Sequence, residues 1–120
     1  MQFSKYIRLR DCVATTGSQL QGKCCSCGRV KEFKQLHAGH FIGGRRAANL
    51  FDTRGCHAQC VRCNTFEQGN WPGYFAYMER VYGRDVINEL MEQDKQIKTW
   101  TVSELTEIRD KYKAKVKEMT

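Results

Sequence analysis

The sequence predicts a small α+β fold built around a zinc ion, with helices gathered in its C-terminal part. Three observations carry that prediction. Cys24-x-x-Cys27 and Cys60-x-x-Cys63 are two knuckles whose spacing presents four thiolates to one tetrahedral Zn²⁺. Between them, Phe33, Leu36, Ala38, His40 and Ile42 lie in a segment that reads as a strand. Beyond Cys63, apolar residues recur at helical spacing almost to the end of the chain.

Taken in order, residues 5–14 (KYIRLRDCVA) mix apolar and basic side chains and read as a short strand, with a helical turn as the alternative. Thr15-Thr16-Gly17 marks a turn, and Gly28 suits the tight, positive-φ turn of a zinc knuckle. Gly43-Gly44-Arg45-Arg46 reads as a basic loop, and 49–56 as a second extended piece. From Cys60 the pattern becomes helical, which would place Asn64 and Glu67 on one face. Gly69-Asn70 breaks that helix, and Pro72 suits the first turn of the next. Tyr74, Tyr77, Met78, Val81 and Tyr82 form its apolar stripe, with Gly83 at its end. Val86, Ile87, Leu90 and Met91 form another short helix. Thr101-x-x-Glu104 is a capping box opening a last helix with Leu105, Ile108, Tyr112 and Val116 inward. These aromatic stripes read as core, not as a base-stacking platform. Residues 1–70 are thus expected to form a zinc-bound core and 71–120 a helical extension packed on it, in one compact domain.

A chain of 120 residues buries a modest core, so a structural metal matters to its stability. No run of about 18 apolar residues is present, which excludes a membrane-spanning helix. The segment MQFSKYIRLRD lacks the apolar stretch of a signal peptide. Seven cysteines, an odd number with paired spacing, then point to metal and a reducing cytosol, not to disulfides. The net charge of +7 is unevenly spread: residues 1–60 carry 10 Lys/Arg against 3 Asp/Glu, residues 61–120 carry 10 against 10. The excess coincides with the knuckles and reads as a phosphate-binding face. The lysines at 111, 113, 115 and 117 are most simply a solvated surface.

A closed four-thiolate site has no open coordination position, so its zinc is structural and any chemistry lies elsewhere. Cys25 competes with Cys24 for the metal, while Cys12 and Cys56 read as small buried residues. His40 is the candidate general base: an imidazole with an ordinary pKa near 6.5 can take a proton from water, and Gly39 leaves room beside it. A lone histidine is more often a surface or capping residue. Asn64 offers a carbonyl oxygen to Mg²⁺, although helix capping would explain it equally well.

The order Cys-x-x-Cys, Ala38-Gly39-His40, Cys-x-x-Cys63-Asn64 and Gly69-Asn70 resembles the NinG/Rap recombination proteins of lambdoid phages. Tyr6-Ile7-Arg8-Leu9-Arg10-Asp11 and His57-Ala58-Gln59-Cys60 belong to the same likeness, which covers about residues 3–93. More distantly, the chain is similar to HNH, or ββα-metal, nucleases with a four-cysteine zinc such as phage endonuclease VII. The resemblance implies a zinc-stabilised ββα-metal core with C-terminal helices. It also implies an endonuclease that hydrolyses branched DNA (Holliday junctions, D-loops, forks) with Mg²⁺ or Mn²⁺, in the cytoplasm of the infected bacterium. His40 would be the base and Asn64 a metal ligand. Two departures stand out: Gly39 replaces the usual Asp ligand, and Gly55 replaces an Asn five residues before the third cysteine. By strand parity His37 shares the face of residue 39 and could supply the missing ligand, with His57 and Glu67 as further candidates. A nitrogen donor shifts the metal preference towards Mn²⁺. Arg45, Arg46 and Arg54 would hold flanking phosphates, and Arg29, Lys31 and Lys34 would be outer contacts.

The rival reading is a catalytically silent zinc-ribbon module that binds DNA or RNA, kept open by Gly39 and Gly55. A thiol redox protein is weaker, since no βαβ pattern accompanies the Cys-x-x-Cys motifs. If the chain forms a homodimer, the helical region 72–118 is the surface expected to supply it.

Overall fold

The computed structural model describes residues 1–42 and 48–120. A first helix, α1 (Gln2–Thr16), leads into a hairpin of β1 (Gln21–Lys23) and β2 (Val30–Glu32). A second antiparallel pair follows, β3 (Leu36–His40) and β4 (Cys56–Cys60), then a π-helical turn at Arg62–Phe66. The helices α2 (Trp71–Val81), α3 (Arg84–Asp94) and α4 (Val102–Met119) complete the chain. Among the described residues, no helix is long and apolar enough to cross a membrane.

Residues 5–14 are helical, which corrects the strand reading in favour of its helical alternative and extends it to a full helix. The apparent alternation Ile7-Arg8-Leu9-Arg10 spans too few residues to define a period. Over the longer range Phe3, Ile7 and Asp11 recur every fourth residue and are all buried. Gly17 closes α1 with φ of 76° in the left-handed region, as the Thr-Thr-Gly turn predicts. α1 lies between the β3–β4 pair and α4, with Phe3 edge-on to Phe51 (5.3 Å) and Tyr112 (4.8 Å). Segment 49–56 is not extended either. Asp52 accepts a hydrogen bond from the Arg54 amide and starts a 3₁₀ turn (Thr53–Gly55), so β4 begins only at Cys56.

The register of β3 against β4 runs from His40 opposite Cys56 to Leu36 opposite Cys60. A two-stranded sheet leaves both edges open, and here the outer edge of β4 is covered. The Ala58 amide donates to Asp11 Oδ2 (2.7 Å) and the Ala58 carbonyl accepts from the Cys25 amide (2.9 Å). The first knuckle and α1 are thereby fastened to the same strand.

Three core clusters pack around this hairpin. Cys12, Leu36, Ala58, Cys60 and Cys63 form one, Phe41, Tyr74, Met78, Ile87 and Leu90 join α2 and α3 in a second, and Phe3, Ile7, Cys56 and Tyr112 join α1 and α4 in a third. The capping box of α4 forms as predicted: Thr101 Oγ1 accepts from the Glu104 amide and Glu104 Oε1 accepts from the Thr101 amide. Within the predicted stripes, Tyr74, Met78, Ile87, Leu90, Tyr112 and Val116 are buried. Val81 and Leu105 are exposed.

Candidate metal centre and hairpin site

The first knuckle is the turn between β1 and β2, and the second is the step from β4 into the π-helical turn. Gly28 has φ of 75°, the left-handed conformation the tight turn requires. The two knuckles bring the sulfurs of Cys24, Cys27, Cys60 and Cys63 within 4.8 Å of one another, so these four residues could hold one metal ion. Cys27 and Cys60 are 3.8 Å apart, the edge of a tetrahedron with Zn–S distances of about 2.3 Å. Cys24, Cys60 and Cys63 are buried and Cys27 is exposed. The competition between Cys24 and Cys25 is resolved by packing: Cys25 turns away into the cluster of Phe41, Tyr74 and Met78.

The thiols of the cluster are unequal. The neighbouring Cys25 thiol, outweighing burial, draws Cys24 down to about 4. Burial pushes Cys27 and Cys63 up, as does their proximity to other sulfurs of the cluster. Four sulfurs this close cannot all carry negative charge without a dication among them.

His57 lies apart from any open site. It is 3% exposed, with Nδ1 3.1 Å from Asp11 Oδ2 and 3.2 Å from the Tyr77 hydroxyl. Its Nε2 is 2.9 Å from the Tyr82 hydroxyl and 3.2 Å from the Arg54 carbonyl. Both ring nitrogens are engaged inside the fold, which corrects its candidacy as a catalytic-metal ligand. Arg10 joins this network, donating to Asp11 Oδ1 and to the carbonyls of Thr53 and Cys56, each at 2.8 Å. Burial raises the Asp11 carboxyl, but the hydrogen bonds and charges of His57 and then Arg10 outweigh it, so its pKa lies below the ordinary carboxylate value. This Arg10–Asp11–His57 bolt was missed as a unit in the sequence, although both its motifs were visible there.

The remaining candidates divide along the hairpin. His37 and Asn64 come together at the zinc end, both exposed or half-buried, with Asn64 Nδ2 2.9 Å from His37 Nδ1. His40 is at the other end of β3, exposed, its Nε2 2.8 Å from the Leu50 carbonyl. Three residues of strand separate His40 from His37 by about 10 Å, and alternation points them to opposite strand faces. Glu67 does not join Asn64. The π-helical turn ends at Phe66, so the spacing of three no longer gives a shared face, and Glu67 instead approaches Arg62 at 3.3 Å.

Gly39 is enforced by its neighbour. A Cβ built at Gly39 would overlap Gln59 Oε1, and Gln59 is 1% exposed with its amide donating to Ser26 Oγ and the Gly69 carbonyl. The buried amide occupies the space an acidic ligand at position 39 would need. Gln59 Oε1 has no hydrogen-bond partner among the described residues.

Of the basic candidates, Arg45 and Arg46 lie outside the described residues. Arg54 is corrected: its guanidinium meets Asp52 at 2.8 Å and Glu89 at 2.6 Å, which neutralises it as a phosphate contact. Arg29, Lys31 and Arg62 line a recess of about 230 Å³ beside Cys27, and Lys34 is exposed. Arg62 was not singled out in the sequence, because its neighbours become visible only when the knuckles close.

The fold and site define a small α+β protein whose cysteine cluster could hold zinc beside a two-stranded hairpin bearing exposed histidines. The family model described as bacteriophage lambda NinG protein matches residues 1–120, and the chain belongs to that family. Protein ninG of Escherichia phage 933W is 35% identical over 97 residues, which cover 80% of this chain and 47% of that relative. Protein ninG of Salmonella phage P22 is 34% identical and that of Escherichia phage lambda 32%, over the same shares. The chain therefore spans about half the length of these relatives. No solved structure matches it.

Proposed function

We propose that the chain is a divalent-metal-dependent endonuclease of the HNH type acting on branched DNA recombination intermediates. The observation that carries this reading is the setting of His40. A carbonyl oxygen can only accept a hydrogen bond, so Leu50 keeps the proton on His40 Nε2 and leaves Nδ1 with a free lone pair on an exposed side chain. An imidazole so fixed takes a proton from water without first having to reorient. Strand–strand–helical turn, in that order, with a thiolate cluster at its base, is also the arrangement the resemblance to ββα-metal nucleases calls for.

The donors for a catalytic ion are His37 and Asn64. Their 2.9 Å separation matches two adjacent ligands of an octahedral ion with bonds of about 2.1 Å, once the Asn64 amide presents its oxygen. A nitrogen and an amide oxygen with no carboxylate favour Mn²⁺ over Mg²⁺. An ion held there would neutralise a backbone phosphate of the substrate next to the one that is cut. His40, about 10 Å away along β3, takes the proton of the water attacking the scissile phosphate. Arg29, Lys31 and Lys34 hold neighbouring phosphates.

Incubation with a four-way junction, a forked duplex and plain duplex in Mn²⁺ or Mg²⁺ is the test. Cutting of the branched substrates by the wild type, lost in His40→Ala, supports the proposal; undiminished cutting by the variant removes His40 from its role. A second reading, a silent zinc-ribbon DNA-binding module, is favoured by the filled space at Gly39 and predicts binding without cutting.

A further inference from the structure

Phe66 is 78% exposed, although it follows the last two residues of the second knuckle by only a few positions. The other exposed aromatic nearby, Trp71, stacks on Phe41 at 5.7 Å with an interplanar angle of 11° and so contributes to the fold. Phe66 makes no aromatic or cation–π contact among the described residues.

The backbone under Phe66 is unusual. It ends a π-helical turn, a geometry that recurs at functional positions, and Gln68, Gly69 and Asn70 then follow with φ of 50°, 93° and 40°. Two of these residues are not glycine, so the surroundings must hold the strained run in place. They do: the Gly69 amide donates to the Cys63 carbonyl at 2.7 Å, the Gly69 carbonyl accepts from buried Gln59, and Asn70 Nδ2 donates to Cys63 Sγ at 3.4 Å. The ring therefore stands in water on a base anchored to a metal-binding cysteine. Its immediate surroundings are cationic. Arg62 opens the same turn, and Arg29 and Lys31 complete the adjoining recess. Arg62 shares its charge with Glu67, while Arg29 and Lys31 make no ion pair among the described residues.

An exposed apolar ring one turn from a recess that holds Arg29 and Lys31, neither ion-paired among the described residues, suits one class of partner best. Nucleic acid supplies phosphates for the cations and flat bases for the ring, whereas a protein partner would have to be both acidic and apolar at one spot. We propose that Phe66 is a stacking wedge that binds an unstacked base at a DNA branch, with Arg29, Lys31 and Arg62 gripping the adjoining backbone. This rests on the reading that the chain acts on branched DNA, and supplies a source of preference for the branch. Within paired duplex every base face is already covered, so the ring adds nothing there.

The experiment measures equilibrium binding with divalent ions omitted, so that cutting plays no part. The probes are a forked DNA carrying 2-aminopurine at the branch and a plain duplex of equal length. Wild type is expected to change the 2-aminopurine fluorescence and to prefer the fork. Phe66→Ala should lose both, with fork affinity falling roughly ten-fold and duplex affinity unchanged. Phe66→Trp should keep them. Equal zinc content and thermal midpoint in the three proteins establish that the fold is intact, as the ring's exposure predicts. Wild-type fork binding and fluorescence in Phe66→Ala would overturn the wedge and leave the DNA reading standing. So would an equal loss on fork and duplex, or a change in sedimentation that assigns the ring to self-association. Failure of wild type to bind either DNA would overturn the DNA reading itself.

Discussion

The two ends of the β3–β4 hairpin are built on opposite principles. At the end where Leu36 faces Cys60, a cysteine cluster that could hold a metal, a buried glutamine and a strained turn constrain one another through at least one hydrogen bond or packing contact each. At the other end, where His40 faces Cys56, one carbonyl contact orients an exposed imidazole. His57 and His40 make the same contrast within a single residue type. The first has every nitrogen engaged and almost no exposure; the second has one nitrogen fixed and one free. Saturation gives a histidine a structural role, and incomplete saturation leaves it chemically available.

Perturbations at the two ends should therefore separate stability from activity. The largest effect is expected from the metal. A structural zinc contributes on the order of 10 kcal/mol or more, comparable to the whole net stability of a domain, so a strong chelator or Cys60→Ser should unfold the chain. Circular dichroism with and without chelator checks this, and a folded, cooperative apo chain would break the contrast. His40→Ala should lower cleavage about 100- to 10,000-fold while shifting stability by less than about 0.5 kcal/mol, read from turnover and denaturant midpoints on the same samples.

Asp11→Asn comes next, with a loss of about 2 kcal/mol, because it leaves half-buried Arg10 without its charge partner and weakens the hold on buried His57. The pH dependence has a defined sign. The Asp11 carboxyl binds its proton more weakly folded than unfolded. Its contribution is therefore complete above the ordinary carboxylate value of about 3.9 and is lost as the pH falls through the lower folded value. The variant should be less stable at neutral pH and show a shallower acid limb in urea titrations at pH 2–5. The last effect concerns Gly39→Ala, expected to cost about 1–3 kcal/mol through overlap with Gln59. Adding Gln59→Ala should recover much of that loss in a double-mutant cycle; independent, additive losses would show that the two positions do not compete for space.

The sequence was most legible where chemistry demands a fixed spacing. Four cysteines, the Thr101–Glu104 box and the glycines at 17 and 28 each answer a local geometric requirement, and each is found where that requirement places it. It was least legible where distant residues decide. The burial that makes 5–14 a helix comes from α4 and the hairpin, far away in sequence. The occupant of the space beside Gly39 is Gln59, which is its neighbour only through strand register. His57 carries no local sign that Asp11, 46 residues away, will claim one of its nitrogens. A helical face drawn from Asn64 to Glu67 fails because it assumes 3.6 residues per turn and the chain takes a wider one.

The unequal burial of the four cysteines sets the chemical lability of the centre. Three of the sulfurs are shielded and Cys27 faces solvent. Competing ligands and oxidants would reach the cluster first through that sulfur, so with a metal bound, exchange would begin at Cys27 and damage with its oxidation. The turn that carries Cys27 spans only the few residues between β1 and β2. Cys24 at the start of the same turn is buried, so the first knuckle offers one shielded and one accessible sulfur while the second offers two shielded ones.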